Sequence, residues 1–132
     1  MAESELAWRP RRRQETTFTE QAGGVAVEVL ISGAAATTRL RRLLVREAER
    51  LVQRHPQLAE FAMAITARSA IDGSAEYWVS ISATLGTHRI TAKNPRAAAR
   101  INAALIGAFA TADQALDRAQ AAPSGARAGG GS

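Results

Sequence analysis

Hydrophobic residues recur at every second position over Val25, Val27, Val29 and Ile31, directly after Gly23-Gly24. This alternation predicts a half-buried strand over 25–31, closed at Gly33. From Thr38 the period changes. Leu40, Leu43, Leu44, Ala48, Leu51 and Val52 fall on one face of a helix predicted over 38–54, which Pro56 stops. Alternation returns with Phe61, Met63, Ile65 and Ala67, and a second strand over 61–70 ends at the Asp72-Gly73 turn signal. Tyr77, Val79, Ile81, Ala83 and Leu85 predict a third strand over 76–85. After the Gly86-Thr87 hairpin, His88, Ile90 and Ala92 predict a fourth over 88–93. Asn94-Pro95 reads as a cap followed by a first-turn proline, so a second helix is expected over 95–120. Its stripe is Ile101, Ala104, Leu105, Ala108, Phe109, Ala112 and Leu116. The fold class is α+β in the order β-α-β-β-β-α, a four-stranded sheet with both helices on one face, which buries every stripe at once.

The ends lack such patterns. Residues 1–22 hold Trp8 and Phe18 without a period and include Arg9-Pro10-Arg11-Arg12-Arg13; residues 122–132 are rich in Gly and Ala. Both are expected to be disordered tails around a folded body over 23–121. No apolar run approaches the roughly 20 residues of a membrane span, and no secretory signal is expected in the acidic opening. The chain has no cysteine, which removes disulfide scaffolds, Cys-zinc sites and thiol enzymes.

Charge sharpens the picture. The chain of 132 residues has 17 basic and 12 acidic residues, for a net +5, and Lys93 is the only lysine. The first 22 residues carry four Arg and four Glu, whereas 23–121 carries twelve basic and eight acidic residues, so the surplus sits on the body. Arginine offers a rigid fork of donors suited to phosphate, although a GC-rich genome gives the same bias without function. Arg39, Arg42, Arg46 and Arg50 share one side of the first helix, in a band about 80° wide beside the leucine stripe. Arg39, Arg41 and Arg42 at that helix start, and Arg96 and Arg100 at the second, oppose the helix dipole unless an anionic partner offsets the cost. A solvated, snorkelling face is the competing reading. The outward phase of the last three strands carries Thr66, Arg68, Trp78, Ser80, Ser82, Thr84, Arg89, Thr91 and Lys93, where Trp78 is placed to stack on a base or a sugar, and equally to shield an open sheet or to form a dimer contact.

Catalytic candidates are few. His55 ends the first helix and His88 lies on the inward phase of the fourth strand; both read as buried or capping histidines. Asp113 and Asp117, four apart on the last helix, read as a solvated face. No single element carries metal-ligand spacing, so no metal, no cofactor and no enzymatic activity are expected.

With this order of elements, the chain resembles the hibernation-promoting factor / ribosome-associated inhibitor A family (sigma-54 modulation, S30EA) over roughly residues 25–120. The resemblance rests on element order and length, on Val79-Ser80-Ile81-Ser82-Ala83-Thr84-Leu85-Gly86-Thr87-His88-Arg89-Ile90-Thr91-Ala92, and on the frame Ala98-Ala99-Arg100-Ile101-Asn102. The family's aromatic and acid are here Ala98 and Asn102, and its Lys-rich last-helix end is replaced by Ala112-Asp113-Gln114-Ala115-Leu116-Asp117-Arg118. The resemblance implies a short, single-domain cytoplasmic member that binds 16S rRNA of the small ribosomal subunit in the mRNA/tRNA channel and silences idle ribosomes under stress or in stationary phase. The residues expected to contact RNA are Arg39, Arg42, Arg46, Arg50, Arg96, Arg100, Lys93 and Arg89. The alternative is a protein–protein or homodimerisation module of the same fold, pairing through the sheet around Trp78. A double-stranded RNA-binding domain, which starts with its helix, ranks lower.

Overall fold

A two-residue turn at Gly23-Gly24 joins two strands where the sequence pattern predicts one. The computed structural model describes residues 15–121. Its elements are β1 (Glu15–Ala22), β2 (Val25–Ser32), α1 (Thr38–Arg54), β3 (Leu58–Ser69), β4 (Ala75–Leu85), β5 (His88–Lys93) and α2 (Ile101–Ala121). They form an α+β fold with one five-stranded mixed sheet in the order β1-β2-β3-β4-β5. Every neighbouring pair is antiparallel except β2 with β3. The expected four-stranded sheet is thus corrected to five strands.

The added strand lies in the supposed N-terminal tail. Ala22 pairs with Val25, leaving Gly23 and Gly24 as the turn, with φ of 59° and 86°. Two consecutive positive φ values are what a tight hairpin requires, and glycine adopts them freely. Residues 15–22 are therefore ordered, while 1–14 and 122–132 lie outside the described residues.

β1 escapes a hydrophobicity reading because its inner phase is Thr16, Phe18, Glu20 and Ala22. Glu20 is tolerated beneath α1 because it accepts a hydrogen bond from Arg41, whose guanidinium also lies 4.4 Å from the Phe18 ring centre.

α1 keeps its predicted bounds. Thr37 caps it, its hydroxyl accepting from the Leu40 N–H at 3.1 Å, and at the far end the His55 N–H donates to Leu51 O at 2.9 Å. Leu40, Leu44, Ala48, Leu51 and Val52 are buried, as the stripe requires.

α2 starts six residues later than expected, because Asn94 is not its cap. The Asn94 side chain, 2% exposed, accepts from the Val79 N–H at 2.8 Å and donates to the carbonyls of Tyr77 at 3.2 Å and Arg96 at 2.6 Å. It completes the ladder where the main chain leaves β5. The chain then rejoins β4, with Tyr77 and Ala98 exchanging backbone bonds of 2.9 and 3.3 Å.

The core lies between the sheet and the two helices. Val27, Val29 and Ile31 of β2, Phe61, Met63 and Ile65 of β3, and Val79, Ile81, Ala83 and Leu85 of β4 face it. Ala104, Ala108 and Ala112 of α2 are fully buried and let that helix settle close to β4 and β5. The opposite sheet face carries no helix among the described residues.

Gly33, at the end of β2, has φ of 83°, and a Cβ there would stand 2.5 Å from the carbonyl oxygen of Ala67. Gly33→Ala is expected to lower stability by about 1–3 kcal/mol, since alanine is strained in that region and the clash is with backbone. Urea unfolding reads this directly; a change under about 0.5 kcal/mol, the range of ordinary surface substitutions, would show that this crossing relaxes freely.

Candidate nucleic-acid interface

One parallel strand pair decides where the basic residues meet. Because β2 and β3 are parallel, Ser32 and Ser69 end at the same edge of the domain. β5, antiparallel to β4, runs in the same sense and also ends there, at Lys93. α1 starts after β2, and α2 starts after the 94–100 segment that follows β5. The two helices run side by side in the same direction, with Arg54 at the end of α1 bonded to Asp113 and Asp117 late in α2. Both helix N-termini, the positive ends of their dipoles, thus share one end of the molecule.

Four of the expected RNA contacts, all arginines, lie at that end, and Lys93 borders it from the uncovered face of the sheet, over Trp78. Arg39 lies in the first turn of α1 and Arg42 just beyond it; Lys93 ends β5; Arg96 and Arg100 lie on the segment leading into α2. All five are exposed, and none has an acidic partner within 4 Å among the described residues. Neither helix has an acidic residue in its first turn. Arg100 sits directly before α2, its carbonyl accepting from Ala104 N–H at 3.1 Å. Arg96 lies outside the helix altogether, which corrects the expectation that both occupy its first turn.

The remaining candidates are placed differently. Arg46 and Arg50 follow Arg39 and Arg42 along the exposed side of α1, next to half-buried Leu43 and away from buried Leu44 and Ala48. Arg50 is 3.6 Å from Glu47, and Arg46 has no ion pair among the described residues. Arg42 and Arg46 also line a cleft of about 470 Å³ between α1 and β1, with Glu20, Thr38, Arg41, Val45 and Glu49. Arg41, marked in the sequence as a misplaced cation, is neutralised by Glu20 and belongs to the fold. Arg89 sits near the start of β5, at the opposite end of the sheet, 3.4 Å from Glu60. The structure does not bring it to the four arginines.

The uncovered sheet face has the expected composition. Thr66 lies beside Trp78, and the Lys93 ammonium stands 5.2 Å from the Trp78 ring centre. The Trp78 indole N–H is shielded and meets no acceptor among the described residues. Leu30 adds a partly exposed apolar side chain. His88 keeps its inward phase opposite Leu85 but is exposed at the sheet rim rather than buried.

The far ends of the helices hold a cluster that the sequence pattern does not reveal. Asp113 and Asp117 are not a free solvated face. Arg54 donates from Nε to Asp113 Oδ1 at 2.9 Å and from Nη2 to both Asp117 oxygens at 2.9 and 3.0 Å. The hydrogen bond to Asp113, followed by the charges of Asp113 and Asp117, raises the Arg54 guanidinium above its ordinary pKa. His55, fully buried, has Nε2 2.8 Å from Asp113 Oδ1 and Nδ1 3.1 Å from Gln120 Oε1. The i, i+4 spacing of the aspartates is the only trace of this cluster in the sequence, because its partners lie 58 to 65 residues away.

No helix among the described residues is long and apolar enough to cross a membrane. Compared with family models, curated proteins and solved structures, the chain matches none.

Proposed function

We propose that this protein binds the rRNA of the small ribosomal subunit, in the channel used by mRNA and tRNA, and holds idle ribosomes silent in the cytoplasm under stress or in stationary phase. The observation that carries the reading is that Arg39, Arg42, Arg96 and Arg100, without acidic partners among the described residues, lie at the shared N-terminal end of two parallel helices. Backbone N–H groups and the positive ends of the dipoles suit that end to phosphate. Four arginine forks add bidentate, charge-assisted hydrogen bonds to phosphate oxygens. The order β-α-β-β-β-α from β2 onward agrees with the family resemblance read from the sequence.

The mechanism is occupancy and needs no chemical step. Phosphate contacts supply affinity and orientation without reading sequence, and a rigid domain fits a folded RNA by its shape. Once seated in the channel, the domain excludes mRNA and tRNA sterically. A second reading, pairing of two copies through the uncovered sheet, draws on the Trp78 indole N–H, which lacks an acceptor among the described residues.

Sedimentation of the tagless protein with purified 30S subunits separates the two. The ribosomal reading expects co-sedimentation at ~0.1 M salt and release near ~0.5 M, because binding that releases counterions is salt-sensitive. A protein that stays at the top of the gradient at low salt while sedimenting as a dimer would support the second reading instead.

A further inference from the structure

The cluster between the ends of α1 and α2 has an unusual balance of donors and acceptors. His55 is fully buried, and both of its ring nitrogens face oxygen atoms that accept hydrogen bonds. A neutral imidazole has one N–H and one lone pair. In the tautomer whose Nδ1–H donates to Gln120 Oε1, the Nε2 lone pair faces Asp113 Oδ1, 2.8 Å away, with Asp117 Oδ1 at 3.8 Å; in the other, Nε2–H donates to Asp113. The first tautomer presents three donor atoms that a cation could share. Arg54 reaches the carboxylates, but its side chain is 51% exposed and makes no hydrogen bond to the imidazole.

We propose that His55, Asp113 and Asp117 form a binding site for a divalent transition-metal ion of the zinc type, with Gln120 as a positioning residue that fixes the imidazole tautomer. The three ligand atoms lie within 4.8 Å of one another, His55 being supplied by the C-cap of α1 and the two aspartates by α2. Donors about 2.0–2.2 Å from one zinc ion stand roughly 3–4 Å apart, so the observed separations need only side-chain adjustment. An imidazole nitrogen with two carboxylates suits zinc better than calcium or magnesium, which prefer oxygen alone. An amide oxygen that receives the second imidazole N–H is the outer contact by which proteins orient a metal-bound histidine. In this arrangement the metal fastens the two helices at the end opposite the cationic one. Arg54 is its competitor: it holds the same carboxylate oxygens and swings into solvent when the metal enters.

The test uses the full tagless chain, stripped with a chelator and titrated with zinc chloride by calorimetry, with thermal melts alongside. One equivalent binds, and the melting temperature rises to a plateau that magnesium chloride at the same concentration does not reproduce. Gln120→Ala weakens zinc binding by about tenfold, the usual cost of losing such an outer contact. Asp117→Asn, at a half-exposed position that leaves folding intact, weakens it further. Arg54→Gln tightens zinc binding while lowering the melting temperature of the metal-free protein. That opposite movement is the signature of competition, since a purely structural ion cluster gives the loss of stability with no effect of zinc. The proposal is overturned if no stoichiometric binding occurs at micromolar zinc, or if Asp117→Asn and Arg54→Gln both leave the affinity unchanged. Zinc insensitivity with intact folding would mean that the cluster is a structural network of Arg54, His55 and the two aspartates without a metal.

Discussion

If the protein binds 30S subunits as proposed, replacing Arg39, Arg42, Arg96 and Arg100 together with glutamine is expected to lower the affinity by roughly 10³-fold at ~0.1 M salt and to make the slope of log affinity against log salt shallower by about three to four. The size follows from four lost phosphate contacts, each releasing somewhat less than one counterion. Folding stability holds or rises slightly, because Arg39 stands in the first turn of α1, where a cation costs about 0.3–1 kcal/mol when exposed. Exchanging Arg89 instead, which pairs with Glu60 at the other end of the sheet, leaves the salt slope at its parental value. Competition binding at three salt concentrations reads both results. A folded quadruple variant with the parental slope would remove RNA binding from this end of the molecule.

Phe61→Ala is expected to cost about 3–5 kcal/mol, the range for deleting a buried aromatic side chain and leaving a cavity. Phe61 is 1% exposed and follows directly on the irregular start of β3, where Glu60 has φ of 50°. Its ring meets that of Phe109 on α2 at 6.1 Å between centres, tilted by 50°, so it joins the sheet to the second helix. For a domain of this size the loss corresponds to a fall of roughly 15–30 °C in melting temperature. A fall of less than ~5 °C, about 1 kcal/mol, would mean that α2 collapses into the space and that the contact contributes little.

What could be read from the chain depended on whether the deciding interactions were local. α1 was legible to the residue because its cap, leucine stripe and terminal Pro56 all lie within one segment. β2, β4 and β5 were legible because their inner phases are almost wholly apolar. β1 was not, since its inner phase includes Glu20, and Glu20 is acceptable there only because Arg41, 21 residues on, neutralises it. The adjacent Gly23-Gly24 was the usable signal, as two glycines between extended segments specify a tight hairpin. Asn94-Pro95 imitated a helix start for a similar reason: the partners of Asn94, Tyr77 and Val79, lie 17 and 15 residues back. The individual arginines of the candidate interface were visible in the sequence, but their meeting was not. It follows from the parallel pairing of β2 with β3, a tertiary choice that sends both helices off from the same edge.

Amide hydrogen exchange of the protein bound to 30S subunits tests the central claim most directly. Slowed exchange is expected over residues 37–42 and 96–101, at the shared end of the helices, with little change on the β3–β5 face around Trp78. Protection confined to Trp78, Ser80 and Ser82, or an exchange pattern that 30S subunits leave unaltered, would contradict it.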